Sequence, residues 1–135
     1  MKLLHESKFW LLRYNHEFNI VELTWKNPGE NEPEEEVFKA HLFLLVKFLE
    51  EYKSESFLVD SRQYHVIMSI HLQEWHDKYI IPEYNKIGVK RIAFIMPEDV
   101  IAAATIEQSF EEDNARNLNV QYFATEEEAR NWLRN

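Results

Sequence analysis

Hydrophobic and polar positions near the start of the chain follow the period of β-strands. Residues 9–14 and 18–25 are rich in aromatic and β-branched side chains, and the three-residue connector 15–17 between them is typical of a hairpin. In the second run Glu22 falls on the opposite face from Val21 and Leu23. This alternation indicates a strand that is buried on one face only.

Helical periodicity dominates the segments that follow. Apolar positions three or four residues apart predict helices over residues 37–52 and 69–86. Pro82 should kink or end the second of these, and Gly88 should stop it in a left-handed conformation. Residues 98–118 are helical in character, with a capping box at Thr105 that predicts the start of a second segment. Thr125 and Glu128 form another capping box, which opens a final helix.

Short apolar runs separate these predicted helices. Residues 57–60 and 91–96 show no alternation, which indicates burial on both faces, as a central parallel strand requires. Residues 120–123 form the last predicted strand. The order is an N-terminal antiparallel strand followed by four strand–helix units, which predicts an α/β fold with a mixed, mostly parallel five-stranded sheet covered by helices. With no linker or repeat, residues 1–135 should form a single domain.

The composition indicates which kinds of partner and which cellular compartment to expect for this protein. The chain has 135 residues, is 45% hydrophobic and 14% aromatic, and therefore has the material for a packed core. Its 24 acidic and 15 basic residues give a net charge of -9, which disfavours nucleic acid and anionic membranes and favours a basic partner protein. The absence of cysteine and of any signal peptide or apolar 20-residue stretch predicts a cytoplasmic protein without a membrane span.

No pattern in the sequence indicates catalysis, a cofactor or a metal ion. The two glycines are too few for a phosphate-binding or dinucleotide-binding loop. His71 and His76 are five residues apart and cannot chelate from one helix face. His41 and His76 fall on apolar stripes, where buried, hydrogen-bonded side chains are expected. The acidic run at residues 30–36 is typical of a helix start, with a metal-binding carboxylate cluster as the alternative.

Aromatic side chains on the second predicted helix have two interpretations. Trp75 and Tyr79 sit among its apolar positions, so we expect them in the core. The alternative is an aromatic pocket for a small apolar ligand.

Ligands of open α/β sheets bind outside the carboxyl ends of the strands, where helices begin. Four loops fall at that edge, over residues 26–32, 60–69, 97–99 and 124–126. The second loop combines an acid, a base, a histidine and hydroxyl groups within ten residues. It provides the candidate regulatory or binding residues, which are Asp60, Ser61, Arg62, His65 and Ser69. Neither serine lies in a G-x-S-x-G elbow, and Ser69 is expected to cap the following helix.

The chain resembles the SpoIIAA-like group, whose small bacterial members are described as STAS/SEC14 domain proteins. The residues that carry the resemblance are the strand at 57–60, Ser69 opening a helix with Trp75 and Ile81-Pro82, the run Gly88–Ala93, and the closing Thr125-Glu-Glu-Glu with Trp132-Leu133. The resemblance covers most of the chain and is strongest from residue 57 onwards.

The resemblance implies a non-enzymatic regulatory or protein-interaction domain, with a protein partner or a homodimer. In the anti-sigma factor antagonists of this group, a serine at the corresponding helix start is phosphorylated, and Ser69 occupies that place here. Met68 and Ile70 flank Ser69 where the antagonists have an acidic-Ser-Ser-Gly run. The alternative function is a carrier or sensor of a small apolar or lipid-like ligand. A carrier requires a closed apolar cavity of about 300 Å³ or more, whereas an interaction module requires exposed apolar residues beside the helix starts.

Overall fold

A computed structural model describes residues 1–26, 33–64 and 68–135 of the chain. In these ranges six strands form one sheet in the order β1-β2-β3-β4-β5-β6. The first two pairs are antiparallel and the remaining three are parallel. The strands are β1 Lys2–Glu6, β2 Trp10–Asn15, β3 Ile20–Trp25, β4 Ser56–Asp60, β5 Arg91–Ile95 and β6 Asn119–Phe123.

The helices follow the strands in the order that the sequence predicts. They are α1 Glu35–Tyr52, α2 Ile70–Trp75, a π-helix at His76–Ile80, α3 Ile81–Ile87, α4 Val100–Gln108, a short 3-10 helix at Asp113–Ala115 and α5 Glu126–Arg134. The α/β class and the four strand–helix units are confirmed. The strand count is higher than predicted, since β1 precedes the hairpin. Its polar residues are compatible with an edge strand, which has no neighbour on one side.

The larger core lies between the sheet and the helices α1 to α4. On this face of the sheet, one row of apolar side chains crosses the five strands from β2 to β6. Its members, in order, are Leu12, Leu23, Val59, Phe94 and Tyr122. Phe57, Leu58 and Val59 are all less than 5% exposed. This confirms that β4 is a central strand buried on both faces.

The opposite face of the sheet is covered by α5. Ala129 and Leu133 of this helix pack on Ile20, Leu58 and Ile95. Glu22 lies on this face and is only 2% exposed, so the prediction of a half-buried strand was wrong. The reason is an ion pair with Arg130 of α5, which allows the carboxylate to be buried.

The second predicted helix contains the π-helix immediately before Pro82. Proline has no N–H, and its ring collides with the carbonyl four residues earlier; the helix widens ahead of it, and the N–H of Ile81 bonds to the carbonyl of His76 five residues back. In an α-helix, side chains four residues apart differ in direction by about 40° around the helix axis. The π-helix has more residues per turn, which offsets this difference. Positions four apart therefore continue to face the core, and the buried residues are Leu72, His76, Ile80, Ile81 and Tyr84.

Helix ends agree with the sequence at Gly88 and Thr125 and differ at Thr105. Gly88 ends α3 with φ +94°, and Thr125 caps α5 through the backbone N–H of Glu128, as predicted. The predicted helix start at Thr105 was wrong. Asp99 caps α4 by accepting hydrogen bonds from the N–H groups of the next turn, and Thr105 lies buried inside the helix with its hydroxyl donating to the carbonyl of Ala102.

Candidate functional site

The candidate residues lie where β4 ends and α2 begins, at the carboxyl edge of the sheet. Asp60 is the last residue of β4, and Ser69 immediately precedes α2. His65 lies outside the described residues, as does most of the predicted loop 26–32. The structure therefore places Asp60, Ser61, Arg62 and Ser69 at this edge, and each has a different environment.

Asp60 and Arg62 bind each other. The guanidinium donates to both carboxylate oxygens at 3.0 and 2.7 Å, and the backbone N–H of Arg62 donates to the same carboxylate at 3.1 Å. Burial acts to raise the pKa of Asp60, but the hydrogen bonds and charge of Arg62 outweigh it and lower that pKa overall. Arg62 also approaches Glu126 of α5 at 3.5 Å. A carboxylate with a lowered pKa is a weak base, so this pair joins the edge of the sheet to α5 rather than serving proton transfer.

Ser61 points into the fold. It is 1% exposed, and both its N–H and its hydroxyl donate to the carbonyl of Ile95, at 2.9 and 2.6 Å. These bonds fasten the end of β4 to the end of β5. Because its hydroxyl is buried and hydrogen-bonded, Ser61 contributes to this edge by holding the backbone of the two strands together.

Ser69 caps α2, as the sequence predicts. Its hydroxyl accepts a hydrogen bond of 3.1 Å from the N–H of Leu72, and its carbonyl accepts one from Gln73. The residue is exposed. Its position combines a structural role with access from solvent.

Replacing Ser69 with alanine should lower the free energy of unfolding by about 1 kcal/mol, because the N–H of Leu72 loses its acceptor. The measurement is urea denaturation of the wild type and the variant under identical conditions. Ser69→Asn is the matched control, since an asparagine side chain restores the cap. An alanine variant as stable as the wild type would show that this hydroxyl does not stabilise the helix start.

Exposed aliphatic side chains stand at the first turns of two helices beside this loop. Ile70 of α2 is 76% exposed, and Val100 and Ile101 of α4 are 80% and 61% exposed. Both helices begin at the carboxyl edge of the sheet, and α2 touches the last residue of α4, where the side chain of Gln73 donates to that of Gln108 at 3.3 Å. Sequence reasoning missed these residues. The available signal was that two adjacent apolar residues at the start of a helix cannot both face its buried stripe.

A cavity of about 50 Å³ lies beneath the same edge, between the sheet and the helices. Its walls are mostly apolar, with polar groups contributed by Ser61, His76, Tyr84 and Ser109. His76 is buried as predicted, with Nδ1 at 3.2 Å from the carbonyl of Ser109. Burial lowers the pKa of His76 to about 4, so this imidazole is neutral at pH 7.

The predicted core position of Tyr79 was wrong, and that of Trp75 holds only in part. Tyr79 is 48% exposed and Trp75 is half-buried. Trp75 packs edge-on against Phe43 of α1, with ring centroids 5.6 Å apart, and the ammonium of Lys39 lies 5.2 Å from its ring centre. These rings are turned outward because the π-helix keeps His76 and Ile80 directed at the core.

His41 is half-buried and hydrogen-bonded at both ring nitrogens, to Ser7 and to the carbonyl of Val37. In the described part of the chain, no three histidine or carboxylate side chains come together in a way that could hold a metal ion. None of the helices in the described ranges has both the length and the hydropathy needed to cross a bilayer.

Comparison of the chain with protein-family models, with curated proteins and with solved structures found no match. The function is therefore argued from the geometry of this edge.

Proposed function

We propose that this chain is a non-enzymatic protein-interaction module of the STAS-like type, acting in the cytoplasm. Its partner docks on the loops and helix starts at the carboxyl edge of the sheet. The observation that carries this proposal is the exposure of Ile70, Val100 and Ile101 in the first turns of α2 and α4, which both begin at this edge. The STAS-like type rests on the resemblance of the sequence to the SpoIIAA-like group, which matches the succession of four strand–helix units.

Three exposed aliphatic side chains at one edge of the sheet favour a binding surface there. Fully burying one valine or isoleucine side chain stabilises an association by about 1.5–3 kcal/mol, so three of them can anchor a partner. The polar residues around them are engaged with one another, as the Asp60–Arg62 pair shows. The edge therefore offers apolar contacts framed by charged groups, which is the usual composition of a protein interface.

The alternative function, a carrier or sensor of a small apolar ligand, depends on the cavity beneath this edge. Its volume of about 50 Å³ is well below the ~300 Å³ of an ordinary ligand pocket. A few water molecules fit such a space, since each needs roughly 10–15 Å³ of it. The cavity therefore favours the interaction module over the carrier.

Site-specific photo-crosslinking in the protein's own host tests the proposal. A photoreactive amino acid is placed at position 70 or 100 in one pair of variants, and at position 3 or 43 in a control pair. Leu3 and Phe43 are also exposed apolar residues, at 57% and 48%, but lie away from the helix starts. We expect one protein to crosslink from positions 70 and 100 and not from the control positions.

The purified partner is then titrated against the triple variant Ile70→Ser, Val100→Ser, Ile101→Ser. Its affinity should fall at least tenfold, which corresponds to about 1.4 kcal/mol, while Leu3→Ser with Phe43→Ser should change it less than twofold. Equal crosslinking from all four positions would contradict the proposal. A small apolar molecule retained in native mass spectra of the protein would favour the carrier instead.

A further inference from the structure

The negative charge of this protein is concentrated at the edge that carries the exposed aliphatic residues. Parallel strands bring the starts of α1, α4 and α5 to the same edge, and acidic residues favour helix starts because they complement the helix dipole. The acidic side chains at this edge are Glu6, Glu34, Glu35, Glu36, Asp60, Glu98, Asp99, Glu126, Glu127 and Glu128. All of them except Asp60 are exposed.

Three basic side chains, Lys8, Lys26 and Arg62, lie at the same edge, so that ten acidic groups face three basic ones. The edge therefore has an excess of seven negative charges. The other described residues contain twelve acidic and twelve basic side chains and are neutral as a set. The charge of the described residues is thus a property of this edge rather than of the surface in general.

We infer that the segment docking on Ile70, Val100 and Ile101 is basic and amphipathic, with aliphatic side chains for the apolar contacts and lysine or arginine side chains for the surrounding carboxylates. This inference rests on the proposed function and specifies the partner. The apolar residues supply the contact area, and the charge selects among the segments that could cover it. Complementary charge also accelerates the encounter of the two partners.

The sign of the charge disfavours the other occupants of this surface. In a symmetric dimer through this edge, the same patch meets itself, and seven excess negative charges would face seven more. Nucleic acid and anionic lipid carry the same sign as the edge and are repelled. A basic segment is attracted from a distance of about one Debye length, ~8 Å at physiological salt.

Selection from an unbiased peptide library tests the inference without knowledge of the natural partner. Displayed random 16-residue peptides are selected on the intact protein, and binders are retested on the triple variant Ile70→Ser, Val100→Ser, Ile101→Ser. Peptides that lose binding to this variant define the edge-dependent set. We expect this set to carry net positive charge together with aliphatic residues.

Two charge-reversed variants then separate local from overall charge. Glu98→Lys with Glu127→Lys changes the edge, and Glu50→Lys with Glu51→Lys makes the same change in the last turn of α1, at the opposite end of the helices. The affinity of edge-dependent peptides should fall at least tenfold in the first variant and less than twofold in the second. It should also fall at least tenfold between 50 and 500 mM NaCl.

The outcomes distinguish the two claims. An edge-dependent set that is neutral or acidic, or an equal response to the two charge-reversed variants, would overturn this inference and leave the proposed function intact. A library without any edge-dependent peptide would overturn the proposed function together with the inference. Self-association of the wild type that is lost in the triple serine variant would show that a second copy occupies the surface, and the basic segment would be wrong.

Discussion

Replacing Arg130 with methionine should lower the free energy of unfolding by about 3–5 kcal/mol, because the carboxylate of Glu22 would stay buried without its counter-charge. Glu22 lies 2% exposed in the middle of β3. Arg130 of α5 donates to its two oxygens at 2.8 and 2.7 Å. Asn15 donates to the same carboxylate at 3.2 Å, and Arg13 lies 3.9 Å away. Urea denaturation at pH 7 measures the loss.

The same pair has a defined pH dependence. Burial acts to raise the pKa of Glu22, but the hydrogen bonds and charge of Arg130 outweigh it, so that the pKa in the folded state is below the ordinary value of 4.5. The stabilisation by Glu22 is therefore present above pH 4.5 and is lost as the pH falls through the lower folded value. The difference in stability between the wild type and Arg130→Met should narrow below pH 4.5.

Two further variants serve as controls for Arg130→Met. Glu22→Leu combined with Arg130→Met removes both charges, and should recover most of the lost stability because the carboxylate is no longer buried without its counter-charge. Arg62→Met breaks the half-exposed pair with Asp60, and should cost less than about 1 kcal/mol. A double variant as unstable as Arg130→Met alone would mean that packing of the arginine stem, rather than its charge, accounts for the effect.

Local pattern was sufficient to predict the order of the elements. Strands such as 57–60 and helix starts such as Thr125 are encoded within a few residues, by burial on both faces in one case and by a capping box in the other. The position of Ser69 at a helix start was predicted for the same reason. The four strand–helix units then follow from their succession along the chain.

Features that depend on distant residues could not be predicted in this way. The burial of Glu22 requires Arg130, which is 108 residues away in the sequence, and without that partner an alternating strand indicates one solvent-facing side. The outward orientation of Tyr79 depends on a π-helix that shifts the buried stripe, whereas periodicity assumes a regular α-helix. Thr105 satisfied the capping pattern, but Asp99 and a buried stripe through Ala102, Thr105 and Ile106 extend the helix across it.

The position of the candidate edge could be predicted from the sequence, but the residues that are exposed there could not. The strand–helix order located it, and the loop after β4 was chosen for its polar residues. The structure shows that these residues are engaged with neighbours, with Ser61 buried and Asp60 bound to Arg62. The exposed aliphatic residues lie at helix starts, where adjacent apolar residues such as Val100 and Ile101 indicate only that both cannot face the buried stripe.

Acidification should destabilise the wild type through His76, by about 3 kcal/mol between pH 6.5 and pH 4. The imidazole is buried with its Nδ1 near the carbonyl of Ser109, and burial lowers its pKa from 6.5 to about 4. Between these values the unfolded chain binds a proton that the folded chain does not, so stability is fully present above pH 6.5 and decreases as the pH falls. Each unit of difference in pKa corresponds to about 1.4 kcal/mol.

The contribution of His76 is measured as the difference between two pH profiles of unfolding free energy. His76→Gln should remove most of the decrease between pH 6.5 and pH 4, because glutamine does not titrate. A smaller decrease should remain from His41, whose pKa burial also lowers, and near pH 4 from Glu22 and Asp60, whose pKa values, despite burial, are lowered by their arginine partners. Tyr84→Phe is the matched control, since Tyr84 lines the same cavity and burial raises the pKa of its phenol far above this range. The unfolding free energy of Tyr84→Phe should differ from that of the wild type by the same amount at every pH, so that the two pH profiles have the same slope. If the slopes of the wild type and His76→Gln coincide, the imidazole takes up its proton inside the folded protein, and the packing of the π-helix on the sheet must be open enough to admit it.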